Sequence, residues 1–309
     1  MTIVVTGASG HLGRLVVENL LARGVPAAQI VAAVRTPQKA AGLAARGVQV
    51  READYDRPET LAPAFAGAGR LLLVSGTEMG RRLPQHQAVV DAAREAGAVH
   101  IVYTSIPYAD TTPIALAPEH KATEELIRAS GLPFTFLRNG WYTENYHAPI
   151  TQAASTGTLI GSAGDGRVSA AARADYAAAA AAVLTGQGHQ GKGYELGGDP
   201  AWTYSDLAAE ISKAAGTPVA YHNLTPSQHK QALADAGLPQ HYIELMVDSD
   251  QAIAAGYLET HSGDLTRLIG RPTTTLADAV AASLKNDWGR TGAPHRTAPG
   301  RARTGRRPP

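Results

Sequence analysis

The stretch Val4-Val5-Thr6-Gly7-Ala8-Ser9-Gly10-His11-Leu12-Gly13 constrains this chain more than any other. An apolar strand signature runs straight into glycines spaced three apart, and then into a helical pattern carried by Leu12, Leu15, Val16 and Leu20. Glycines in such a turn let backbone N–H groups close on a pyrophosphate and let the following helix pack tightly on the strand. The widespread fingerprint has its first two glycines two apart, but the longer spacing keeps the same physical opportunity. The amides and dipole at the helix start favour phosphate charge. A second apolar run from Ile30 to Val34 completes a βαβ unit.

Strand and helix patterns then alternate, which predicts a parallel sheet. Strands are expected at Ile3 to Val5, Ile30 to Val34, Val48 to Val50, Leu71 to Val74, Ile101 to Tyr103 and Phe134 to Leu137. Helices are expected over 12–23, 38–45, 59–65, 85–96 and 119–130. The expected fold is α/β, a Rossmann-type doubly wound parallel sheet with a smaller, mostly helical C-terminal lobe. In such a sheet the ligand lies beyond the carboxyl ends of the strands, at the switch point. After residue 140 the pattern loosens. A helix is expected over 142–154, a strand pair around Gly164-Asp165-Gly166, a helix from near Asp175 and a strand at Tyr194 to Leu196. Further helices are expected over Thr203 to Ala215 and near 226–236, 240–247, 264–269 and 275–285. The division is thus 1–140 for a dinucleotide-binding core, 141–288 for a substrate lobe interleaved with it, and 289–309 for a tail.

That tail holds Arg290, Arg296, Arg301, Arg303, Arg306 and Arg307 without an acid, so a net charge of +1 conceals a mildly acidic body. The body gives no general case for nucleic-acid binding. The tail's proline, glycine and arginine cannot build a core, and it is expected to be disordered. No apolar run approaches the roughly 20 residues that span a bilayer. Met1 leads into a strand without a basic leader. With no cysteine, disulfides, thiolate metal sites and a cysteine nucleophile are excluded. A cytoplasmic protein without membrane insertion is the expectation, and a homodimer is left open.

The end of the second strand decides between the two nicotinamide dinucleotides, because an acid there bonds the ribose hydroxyls whereas arginine accepts a 2′-phosphate. Val34-Arg35-Thr36-Pro37 offers Arg35 and no carboxylate, with Lys39 one turn further on, which argues for NADP(H). Asp54-Tyr55, after the third strand, is placed to border the adenine or to cap a turn. Ser75-Gly76-Thr77 follows the fourth strand, where small residues let backbone approach the nicotinamide ribose. Arg138-Asn139-Gly140-Trp141-Tyr142 brings amide, indole and phenol groups to the same edge, and the two aromatic faces suit a planar substrate.

None of the 11 tyrosines has a lysine four residues later, so the usual short-chain dehydrogenase acid is absent. Nor is there a His-Glu-x-x-His zinc motif or a Gly-x-Ser-x-Gly nucleophile elbow. No metal is expected, and hydrolysis is disfavoured.

Taken in order, Thr6 to Gly13, Val34-Arg35, Tyr103-Thr104-Ser105, Glu119-His120, Leu137 to Tyr142, Gly164-Asp165-Gly166 and Arg173-Ala174-Asp175-Tyr176 resemble the type-2 NAD(P)H:quinone oxidoreductases. These are NmrA-like atypical short-chain dehydrogenases, and the similarity runs from about residue 2 to 287. Its most specific parts are Arg138 to Tyr142 and Arg173 to Tyr176. The resemblance implies NADPH held by Gly7, Ala8, Ser9, Gly10, His11 and Leu12, by Arg35, by Ser75, Gly76 and Thr77, and by Asn139, Gly140, Trp141, Tyr142, Thr143 and Glu144. It also implies direct reduction of a small quinone without flavin. Where related reductases carry a lysine on the helix before Gly131-Leu132-Pro133, this chain has His120, which makes His120 the candidate catalytic residue. Two other functions stay open: an NADP(H)-sensing regulator that binds a protein partner, and a reductase of another electrophile such as a dye, nitro compound or enone.

Overall fold

The computed structural model describes residues 1–285. Seven strands form one parallel sheet: β1 (Thr2–Thr6), β2 (Ile30–Val34), β3 (Gln49–Glu52), β4 (Ala68–Leu73), β5 (His100–Ser105), β6 (Phe134–Asn139) and, later in the chain, β8 (Lys192–Leu196). Their order is β3-β2-β1-β4-β5-β6-β8. The chain winds outward from β1 to β3 and then crosses to β4, so the switch point lies between β1 and β4. β7 (Thr158–Gly161) and β9 (Ala220–Asn223) make a separate parallel pair.

The inner strands β1, β2 and β5 are buried almost throughout because both sheet faces are covered there, whereas the edge strands β3 and β8 carry polar, partly exposed residues. The helices are α1 (His11–Ala22), α2 (Ala41–Ala44), α3 (Leu61–Phe65), α4 (Arg82–Glu95), α5 (Ala117–Ala129), α6 (His147–Thr156), α7 (Arg173–Thr185), α8 (Tyr204–Ala215), α9 (Pro226–Asp235), α10 (Gln240–Ala254), α11 (Asp264–Ile269) and α12 (Leu276–Leu284). One face packs on α1 and α7 through Val16, Val17, Leu20, Val183 and Leu184. The other packs on α3, α4 and α5 through Leu61, Phe65, Val89, Val90 and Ile127. The alanine run in α7 is buried almost throughout, and its small side chains let α1 and α7 lie close together over β1 and β4. A third core of Tyr146, Ile150, Trp202, Tyr204, Ile211 and Ile253 holds the C-terminal lobe together.

Two expectations need correcting. Gly164-Asp165-Gly166 is a turn and not a strand pair: Gly164 has φ +57°, and a Cβ on Gly166 would lie 2.4 Å from the Ile253 carbonyl oxygen. The strand precedes it, at β7, and pairs with the distant β9. The helix expected over 142–154 begins as a 3-10 turn at Thr143–Tyr146 and becomes α-helical only at His147. The tail at 289–309 and the boundary at 288 lie outside the described residues. Among the described residues no helix is long and apolar enough to cross a membrane.

Candidate functional site

The glycine turn joins β1 to α1 at the switch point. Gly7 has φ +59°, a conformation costly for any residue with a Cβ. The Gly10 N–H donates to the Gly7 carbonyl at 2.9 Å. A Cβ at Gly13 would fall 2.4 Å from that same oxygen, so α1 can approach the turn only with glycine there. Gly10 caps α1 without a side chain, and the first turn holds no acid. The amides that begin α1 are thus left without side-chain acceptors. Gly7, Ser9, Gly10 and His11 are exposed along this edge, while Ala8 and Leu12 are buried and offer only backbone.

Arg35 is exposed at the end of β2, with Lys39 exposed beyond it. Its Nη1 lies 3.7 Å from Glu78 Oε1, a partner that strand-end reading could not see because Glu78 belongs to the loop after β4. Asp54 accepts the Asp56 N–H at 3.1 Å and so caps its own turn. The Tyr55 hydroxyl is held between Thr6 Oγ1 at 2.5 Å and the Val74 carbonyl at 3.1 Å, tying the ends of β1 and β4.

The segment Ser75-Gly76-Thr77 is tightly held. Ser75 N–H donates to Thr104 Oγ1 at 2.9 Å, Gly76 N–H to His86 Nε2 at 3.1 Å, and Arg82 Nε to the Gly76 carbonyl at 2.9 Å. Arg82 and His86, missed by sequence reasoning, are 4% and 0% exposed.

At the end of β6, the Gly140 N–H donates to the Leu196 carbonyl at 2.8 Å, and a Cβ at Gly140 would lie 2.8 Å from that oxygen. Asn139 is buried; its Nδ2 reaches the Tyr142 hydroxyl at 3.4 Å, and its Oδ1 has no partner. Ser105, on the neighbouring strand end, likewise has a buried hydroxyl with no partner. Buried polar atoms are almost always satisfied, so an acceptor and a hydroxyl left open at this edge mark a place for a ligand or water. Trp141 is half-buried against the lobe's aromatic core. Tyr142 packs edge-on against Tyr176 with the Arg173 guanidinium 4.8 Å over its ring. The Glu144 carboxylate accepts the Arg173 N–H at 2.9 and 3.1 Å and so caps α7, while burial raises its pKa. Thr143 is buried beside it.

His120 sits on the buried face of α5, with Nδ1 2.8 Å from the Tyr103 hydroxyl. Burial pushes its pKa down to about 3, assisted by the nearby Arg82 charge and by His86. It is a neutral imidazole at working pH, not a cation. Tyr103 also contacts His86 edge-on, and burial raises its own pKa. Among the described residues no group of three His, Cys, Asp or Glu side chains is placed to hold a metal ion.

The glycine turn at the switch point of a parallel sheet defines a dinucleotide-binding α/β protein, and the chain belongs to the NmrA-like family, whose model matches residues 1–275. It is 50% identical to Quinone oxidoreductase 2 of Escherichia coli over 279 residues, 90% of this chain and 97% of that protein. It superposes with a TM-score of 0.88 on the structure of an Escherichia coli NADPH-dependent quinone oxidoreductase complexed with NADPH, at 50% identity, covering 91% of this chain and 99% of the other. The Citrobacter sp. triphenylmethane reductase complexed with NADP(H) matches at 40% identity and a TM-score of 0.87, covering 93% and 100%.

Proposed function

We propose that this chain is an NADPH-dependent quinone reductase that needs no flavin, works in the cytoplasm and forms a homodimer. The observation that carries the reading is a glycine turn opening on uncapped α1 amides beside Arg35, in a chain half-identical along most of its length to an NADPH-dependent quinone oxidoreductase.

The residues fit the dinucleotide. Gly7 to Leu12 would hold its pyrophosphate with backbone amides, and Arg35 would take the 2′-phosphate. Ser75 to Thr77 and Asn139 to Glu144 would flank the nicotinamide half, where the open Asn139 Oδ1 supplies an acceptor for an amide N–H. When bound, NADPH supplies the hydride that reduces the quinone. Fixed backbone and buried side chains contribute orientation and water exclusion, and these account for most of the rate effect. A reduced quinone carries charge on oxygen, which a nearby donor stabilises before water delivers the proton. We assign His120 that donor role in its neutral form, which requires the Tyr103 hydroxyl to donate to Nδ1 so that Nε2 carries the hydrogen. Trp141 borders the substrate.

Steady-state NADPH oxidation against a panel of benzoquinones and naphthoquinones, without added flavin, tests the reading. Turnover with quinones above that with triphenylmethane dyes supports it. The likeness to triphenylmethane reductase makes a cationic dye the competing substrate, and faster dye decolourisation would transfer the assignment to that class. NADPH binding without turnover of any acceptor would favour an NADP(H)-sensing regulator. Light scattering at twice the 32.2 kDa chain mass would agree with the homodimer.

A further inference from the structure

The buried face of α4 holds Arg82, Gln85, His86, Val89, Val90, Ala92 and Ala93, so three polar side chains continue an apolar face at helical spacing. Gln85 reaches Asp56 Oδ1 at 3.0 Å, which leaves Arg82 and His86 to account for. Burying an imidazole and a guanidinium is costly unless both find partners. Both find the same one, Gly76: His86 Nε2 lies 3.1 Å from its N–H and Arg82 Nε 2.9 Å from its carbonyl. We propose that His86, supported by Arg82, is a positioning residue that fixes the Ser75–Thr77 backbone for the dinucleotide; this rests on the function proposed above.

The directions of the hydrogen bonds leave no freedom. A peptide N–H can only donate, so His86 Nε2 is the acceptor. Nδ1 therefore carries the hydrogen and donates to Thr123 Oγ1 at 3.0 Å, and the Thr123 hydroxyl passes its own hydrogen to the Glu119 carbonyl at 2.8 Å. Glu119 pairs with Arg82 through its carboxylate and accepts the Gly80 N–H at 2.8 Å. Two helices thus grip the loop after β4 at Gly76 and at Gly80. Thr104 Oγ1 takes the Ser75 N–H at 2.9 Å. Among the described residues, the Ser75 carbonyl and both the N–H and the carbonyl of Thr77 are the backbone groups of this segment that no hydrogen bond claims. The grip commits Gly76 to the protein and leaves the open backbone groups of its two neighbours, the Ser75 carbonyl and the Thr77 N–H among them, to a ligand.

His86→Leu removes the acceptor at similar volume, whereas His86→Gln keeps one. Calorimetric titration with NADPH should show His86→Leu weakened about tenfold, the usual effect of orphaning a buried donor. His86→Gln should recover most of that loss. The KM for NADPH should rise with the dissociation constant, while the KM for quinone and kcat at saturating NADPH stay near those of the parent. Should His86→Leu be insoluble, Thr123→Val carries the test, since it strands the imidazole N–H: weaker NADPH binding supports the proposal and parental affinity overturns it. Parental affinity in His86→Leu, or equal loss in His86→Leu and His86→Gln, also overturns it. A parent protein that takes up no NADPH would instead defeat the functional proposal on which this one rests.

Discussion

Arg35 and Glu78 meet across the mouth of the site, Nη1 to Oε1 at 3.7 Å, from loops that follow different strands. Their side chains are 67% and 42% exposed, so the pair is a weak, water-screened one of under about 1 kcal/mol. Glu78 also holds Arg81 at 3.2 Å and keeps a partner when Arg35 turns elsewhere. The guanidinium is therefore available to a phosphate, although it must leave a carboxylate to reach one.

Cofactor choice follows from that pair. Arg35→Ala should weaken NADPH by about tenfold to a hundredfold while leaving NADH nearly unchanged, the range for a charge-assisted contact. Glu78→Gln should tighten NADPH by up to about fivefold, since it removes a competing anion. Calorimetry with both cofactors measures each effect. Equal affinity of the parent for NADPH and NADH would show that Arg35 does not read the 2′-phosphate.

Gly13→Ala tests the turn. Its Cβ would sit 2.4 Å from the Gly7 carbonyl oxygen, so α1 must withdraw from β1. Overpacking of this kind costs about 1–3 kcal/mol, to be read from the urea midpoint. NADPH binding should weaken with it, because the displaced groups are the α1 amides proposed to hold the pyrophosphate. An unchanged midpoint would show that the turn yields without cost.

Acid sensitivity should come from His86 and His120, each pushed down to about 3 by burial, and from His100, pushed down to about 4 by burial. As pH falls below 6.5 the unfolded chain binds protons that the native imidazoles refuse, so stability is lost from about pH 6.5 downward toward pH 3. Each histidine contributes a slope of about 1.4 kcal/mol per pH unit down to its own lowered pKa. Urea denaturation at pH 7, 6 and 5 should show this slope, and His86→Gln should reduce it. An identical slope in the variant would contradict a neutral, buried His86.

His120→Ala should lower kcat by about tenfold to a hundredfold with NADPH affinity little changed. Because burial keeps the ring neutral, the kcat profile of the parent should show no step from His120 between pH 5 and 8. A step near pH 6.5 that vanishes in the variant would show a titrating His120 and contradict its burial.

The positions of six strands along the chain were legible because most of them are short apolar runs closed by small or polar residues. β7 and β9 were not, since Thr158 and Ala220 to Asn223 are partly exposed and carry little apolar pattern. Their pairing depends on contacts distant in sequence, such as the Ala220 N–H to the Gly157 carbonyl at 3.0 Å. At the site, the glycine turn and Arg35 could be read because their meaning is local. Arg82 and His86 resemble solvent-facing residues in composition; only their place on the stripe of Val89, Val90 and Ala93 marks them as buried. Glu144 stood within a segment read for its aromatics, and its role as the cap of α7 required the fold.

The central claim is hydride delivery from NADPH to a quinone on a protein that carries no flavin. Its most direct measurement pairs the visible spectrum of the purified protein with the rate of quinone reduction by NADPH deuterated at the transferred position of C4. The account predicts no flavin absorbance, one NADPH oxidised per quinone reduced, and a primary isotope effect on the single-turnover rate. Bound flavin, or NADPH that binds and is never oxidised by quinone, would contradict it.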